Sequence, residues 1–170
     1  MLELLLLGAI ILLLIPLSML WPKDSPWAPW WKTSDEKAIL MAKMANVNSR
    51  DIIYELGSGD AKPLIAIVKK FDCRAVGIEI DPLRFWHSKL LVFKSPQRDK
   101  IKLVRGNLFN QSLSEASVVF VYLVPKALDK LLPKLKREVK KGTRIVSNNY
   151  DLDLPLDKWD RKNKIYLYVI

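Results

Sequence analysis

The stretch 52-IIYELGSGDAK-62 decides the fold. Apolar residues from Ile52 to Leu56 surround one acid, Glu55, and stop at Gly57-Ser58-Gly59. That is the pattern of a strand ending in a tight turn, with a helix predicted from about Lys62 to Phe71. Glycines at such a turn let the backbone reverse sharply and approach a ligand closely. A dinucleotide fingerprint, G-x-G-x-x-G, requires a third glycine where this chain has Lys62, so that reading is weak. A glycine turn that binds nothing is the bland alternative.

Working outward, strand-like and helix-like runs alternate. Strands are predicted at 51–56, 75–80, 101–105, 118–124, 143–149 and 165–170, with helices at 62–71, 82–93 and 126–140. A further helix capped at Ser34 runs to about Ala45. Strands separated by helices imply right-handed crossovers and a mainly parallel sheet. The fold class is α/β, Rossmann-like, and room for about six strands predicts an abridged antiparallel C-terminal edge.

Three more strand ends carry polar chemistry. Gly77-Ile78-Glu79-Ile80-Asp81-Pro82 puts Glu79 at the carboxyl edge 24 residues after Glu55. A carboxylate there can accept both hydroxyls of a ribose. Asp81, just before Pro82, reads as a helix cap. The third strand ends in Arg105-Gly106-Asn107-Leu108-Phe109, and the fourth in Tyr122-Leu123-Val124-Pro125, without an Asn/Asp-Pro-Pro-aromatic motif.

With an acid two residues before its first glycine, ELGSGDAK resembles motif I of the class I S-adenosylmethionine-dependent methyltransferases. Ala61 stands where that family usually has a third glycine. Together with GIEIDP, GNLF, the 122–125 stretch and the Gly142 to Asn149 strand, the whole is similar to the small membrane-anchored protein-lysine methyltransferases of the ATP synthase c-subunit and adenine nucleotide carrier type. The resemblance implies S-adenosyl-L-methionine as cofactor. It implies that Glu55, Gly57, Ser58 and Gly59 hold the methionine part, Glu79 the ribose, and Asn107 with Leu108 the adenine. Trp30, Trp31 and Tyr122 are the candidate acceptor channel, where rings attract a lysine by cation-π contact. Interfacial anchoring of the tryptophans and core packing of Tyr122 weigh equally against that role.

Composition narrows the alternatives. The 170 residues suffice for one core, and a formal net charge of +10 favours anionic surfaces. One cysteine, Cys73, and one histidine, His87, leave no metal cluster and no intrachain disulfide, so no metal is expected. Leu4 to Leu20 is uncharged and would reach about 26 Å as a helix, close to a bilayer core of about 30 Å. Trp21, Trp27, Trp30 and Trp31 follow it, as rings do at a membrane boundary. The organisation expected is therefore a transmembrane anchor at 1–21, a Trp/Pro-rich linker at 22–34 and a catalytic domain at 35–170. Lysines follow the run and none precede it, placing the domain on the cytoplasmic side of a single-pass membrane protein. The expected partners are the lipid bilayer and a membrane protein carrying a target lysine, with nucleic acid disfavoured for want of an RNA-binding module. Two rivals remain: a methyltransferase of RNA or a small molecule, and a non-catalytic membrane-anchored scaffold with this fold. Lys126, Lys130 and Lys134, spaced by four, read as one solvated helix face.

Overall fold

The computed structural model describes residues 32–170, together with Leu6 and Gly8. Helix α1, Asp35–Met44, begins where the Ser34 hydroxyl accepts the Lys37 N–H at 3.2 Å, satisfying one of the donors a helix start leaves open. Strand β1, Ile52–Leu56, leads through the glycine turn into α2, Lys62–Phe71. Strand β2, Arg74–Glu79, precedes α3, Pro82–Lys94, capped by Asp81, whose carboxylate accepts from the N–H groups of Leu83 and Arg84. Strand β3, Ile101–Arg105, and strand β4, Val118–Val121, are joined by a connection whose one regular piece is a 3-10 turn, Leu108–Asn110. Helix α4, Pro125–Glu138, then β5, Arg144–Asn148, β6, Leu156–Asp160, and β7, Ile165–Val169, complete the chain.

All seven strands form one sheet in the order β3-β2-β1-β4-β5-β7-β6. The first five are parallel, while β7 runs antiparallel to β5 and β6 antiparallel to β7. Both faces are covered. On one, Met41 and Ala42 of α1 and Leu64, Ile67 and Val68 of α2 pack on Ile53, Phe120 and Val146, with Val92 of α3 completing the layer. On the other, Leu128, Leu131 and Leu135 of α4 pack on Leu56, Val119, Ile145 and Tyr168. Each large aliphatic chain so buried contributes about 1.5–3 kcal/mol, which is what holds the helices to the sheet.

The structure departs from the sequence-based expectations in two places. The C-terminal edge is not abridged: β6 supplies a seventh strand. Its sequence, LDKWD, is exposed along almost its whole length, so no apolar alternation marks it. Lys134 is not on a solvated face. It is buried among the α4 leucines and bonds Glu138 at 2.7 Å, which also accepts the Leu113 N–H. The anchor at 1–21 and most of the linker at 22–34 lie outside the described residues. Among the described residues, no helix is long and apolar enough to cross a membrane.

Candidate active site

The carboxyl edge of the sheet is organised by main-chain bonds. The N–H groups of Gly57 and Ser58 both donate to the Ile78 carbonyl at 2.9 Å, which folds the β1–α2 turn against the end of β2. Gly57 does so at φ 85°, in the left-handed region that a residue with a Cβ enters only at a cost. Gly77 explains why the turn can lie so low. It pairs with Glu55 in register, and a Cβ there would stand 2.7 Å from the Ser58 hydroxyl.

Glu79 fastens the same turn from the side. One carboxylate oxygen accepts the Gly59 N–H at 2.8 Å and the other accepts the Asp81 N–H at 2.9 Å. Each oxygen retains a second lone pair, so the group can brace the loop and still accept from a ligand.

Beneath the turn lies a cavity of about 350 Å³ between the carboxyl ends of β1 and β4 and the start of α1. Glu55, Gly57, Ser58, Asp60, Phe120 and Tyr122 line it from the sheet, Ala38 and Met41 from α1, and Lys32 to Asp35 from the segment entering α1. Glu55 is its electrostatic centre. Burial, then Asp60, then Glu79 push its carboxyl up to about 8. The Glu55 Oε2 and the Ser58 hydroxyl are both buried without a hydrogen-bond partner. Buried polar groups are normally satisfied, so two orphans beside crowded carboxylates describe a place prepared for a donor, and a cationic one above all.

The other residues expected in the site fall in several places. Tyr122 lines the cavity, and burial followed by Tyr150 raises its phenol. Among the described residues, Gly59, Glu79, Asn107 and Leu108 lie outside the cavity wall. The Asn107 amide oxygen accepts the Phe109 N–H at 3.0 Å and caps the 3-10 turn, and Leu108 packs against the α4-side core. Trp30 and Trp31 lie outside the described residues.

Three participants were missed. Asp60 lines the cavity beside Lys62, 3.8 Å away. Thr33 lines the cavity as well, and Asn148, behind it at the end of β5, donates its amide to the Thr33 hydroxyl at 3.2 Å. The Asn148 Oδ1 is buried with no partner. Asp60 was visible as an acid within the turn. No local signal joins residues 33 and 148.

A seven-stranded sheet of this order, with an acid-x-Gly-x-Gly turn after β1 and an acid after β2, defines a class I methyltransferase. The residues fit its cofactor. Glu55 and Ser58 would take the ammonium and carboxylate end of S-adenosylmethionine over the glycine turn, and Glu79 the ribose. The cofactor supplies an electrophilic methyl group on a sulfonium.

Comparisons agree. The family model for the ANTKMT methyltransferase domain matches residues 55–160, and the chain belongs to that family. A protein-lysine N-methyltransferase of Saccharolobus islandicus (strain REY15A) is 32% identical over 153 residues, covering 85% of this chain and 95% of that one. The ATP synthase c-subunit lysine N-methyltransferase of Mus musculus is 25% identical over 134 residues, 79% of this chain but 51% of its own length. The chain thus spans about half of that mammalian relative. Among solved structures, an RNA methyltransferase from Salinibacter ruber in complex with S-adenosyl-L-homocysteine superposes with a TM-score of 0.79 at 31% identity, covering 82% of this chain and 94% of that one.

Proposed function

We propose that the chain transfers the methyl group of S-adenosylmethionine to the ε-amine of a lysine, and that the lysine belongs to a membrane protein. The observation that carries the methyl-transfer reading is the buried, unpartnered Glu55 carboxyl beneath the glycine turn. The lysine acceptor is supported by the protein-lysine N-methyltransferase of Saccharolobus islandicus, which matches over nearly its full length. Methyl transfer to an amine is an in-line displacement, so the chain's task is alignment and keeping the amine neutral. Phe120, Met41 and Tyr122 on the cavity wall supply an apolar, aromatic approach that disfavours the ammonium form.

The membrane reading rests on the uncharged run from Leu4 to Leu20 and the tryptophans that follow it. Residues 1–21 are its anchor, and the domain faces the cytoplasm. Tethering raises the effective concentration only of targets near the bilayer. A second reading, methylation of RNA, is favoured by the Salinibacter ruber neighbour and by the net charge of +10.

Incubating membranes with radiolabelled S-adenosylmethionine and separating protein, RNA and lipid decides between them. Label in a membrane protein, released as methyl-lysine on hydrolysis, is the expected result. Label confined to RNA would establish the second reading in its place.

A further inference from the structure

Helix α3 carries an apolar face that stays largely exposed among the described residues, the Arg98 guanidinium 5.9 Å from the centre of the Phe93 ring being the one cation over it. Its buried side, Phe85, Ser88 and Val92, meets the sheet and α2. On the outer side Leu83, Trp86, Leu90 and Phe93 are 55%, 61%, 51% and 68% exposed. At 100° per residue these four fall within an arc of about 80°, so they form one stripe rather than four scattered side chains. Contiguous apolar surface of this kind marks an interaction site.

We propose that this stripe docks on an anionic lipid bilayer. Charge selects the partner. From Pro82 to Arg105 the chain carries Arg84, Lys89, Lys94, Arg98, Lys100, Lys102 and Arg105, and although Asp81, Asp99 and Asp72 pair with Arg84, Arg98 and Lys100, cations still outnumber these acids seven to three. On the helix itself, Lys89 flanks the stripe on one side and Lys94 and His87 on the other, the arrangement of a helix lying in a headgroup layer. Shape selects it too. The stripe stands on a convex helix at the edge of its layer, beside β3, one of the two edge strands. A fluid interface accepts a convex row of Leu, Trp, Leu and Phe without needing a complementary groove. Trp86 adds a ring suited to the boundary between chain and headgroup.

Docking has a consequence for the site. Helix α3 begins at the carboxyl end of β2, so Leu83 lies toward the edge that bears the cofactor turn. Contact along the stripe would fix that edge relative to the headgroups, which a tether at one point alone does not. The inference rests on the membrane placement proposed above only for that tether.

The test uses the full chain with Phe93→Cys carrying a polarity-sensitive dye. Cys73 is fully buried and does not compete for the label. The protein is placed with vesicles of phosphatidylcholine alone or mixed with phosphatidylserine, and a Lys136→Cys label on exposed α4 serves as control. Expected are flotation with the vesicles and a blue shift at position 93 on the phosphatidylserine mixture, reduced by salt and by Leu90→Glu, with position 136 unchanged. Flotation without a shift at 93 overturns docking while leaving the anchor intact. Failure to float on either vesicle overturns both. Equal shifts on neutral and anionic vesicles remove the headgroup selectivity. A shift without vesicles that grows with protein concentration assigns the stripe to a second copy of the chain instead.

Discussion

The two halves of the sheet's carboxyl edge are built differently. At β1–β2, four main-chain N–H groups fix the turn: those of Gly57 and Ser58 on the Ile78 carbonyl, and those of Gly59 and Asp81 on Glu79. All its parts fall within 27 residues of sequence, from Glu55 to Asp81. At β4–β5, Tyr122, Asn148 and Thr33 come from three distant segments, and the described link between the last two is a single hydrogen bond spanning 115 residues. The first half is preorganised, as a cofactor common to every turnover requires. The second meets the described segment entering α1 at Thr33, and it is the half that the proposed function gives to the acceptor. Cofactor affinity should therefore depend steeply on the first half and hardly at all on the second.

The largest effect is expected from Gly57→Val. The new side chain would have to hold φ 85°, which costs a β-branched residue on the order of 1–3 kcal/mol, and its branches would occupy the cavity wall where the ligand must lie. Calorimetric titration should detect no cofactor binding by a variant whose circular dichroism still reports the fold. Full affinity would mean that the turn is not the cradle. Glu79→Ala comes next. Losing a braced carboxylate should weaken cofactor binding by about 1–3 kcal/mol, or roughly five- to a hundred-and-fiftyfold. An unchanged affinity would leave Glu79 a brace and nothing more.

Glu55→Gln sharpens the comparison through pH. The Glu55 carboxyl titrates near 8, above its ordinary 4.5, so its contribution to stability is fully present below about pH 4.5 and is lost as pH rises through 8. Without cofactor, melting temperature should fall across that window, and Glu55→Gln should flatten the decline. A cationic ligand favours the carboxylate, so binding below pH 8 should release a proton, and affinity should rise with pH until about 8. Each pH unit is worth about 1.4 kcal/mol. Calorimetry in buffers of different ionisation enthalpy reads the proton directly. Equal proton release by wild type and Glu55→Gln would place the titrating group elsewhere.

The same contrast explains what could be read from the sequence. The β1–β2 half was legible because its signals are local: Glu55 two residues before Gly57, Glu79 ending the next strand, and Asp81 capping α3 before Pro82. The limits of α2 were legible from the turn before Lys62 and the apolar run to Phe71, and the structure closes the helix on Asp72 in the αL conformation. Strand β6 was not, since its pairing with β7 is main-chain chemistry that an exposed LDKWD does not advertise. Nor was Lys134, whose burial follows from Glu138 one turn on, which also caps the Leu113 N–H. Asn148 was overlooked because its partner is a threonine 115 residues earlier, in the segment just before α1.

The smallest effect on cofactor affinity is expected from the β4–β5 half, and it is the most instructive. In Asn148→Ala the Thr33 hydroxyl loses its amide donor and the orphaned Oδ1 disappears. The two changes oppose each other in stability, so the net loss should be no more than about 1 kcal/mol. Neither atom is bonded to the β1–α2 turn. Sites without shared partners behave nearly independently, so cofactor affinity should change by less than about twofold. Tyr122→Phe removes a hydroxyl at the cavity wall and probes this half a second time. Turnover is a different matter. If this half receives the acceptor, both variants lower kcat/KM for it several-fold while the cofactor titration stays put. Should Asn148→Ala instead weaken cofactor binding as much as Glu79→Ala, the edge is one coupled site. The open hydrogen-bond positions at Glu55 and Asn148 would then belong to a single ligand spanning β1 to β5.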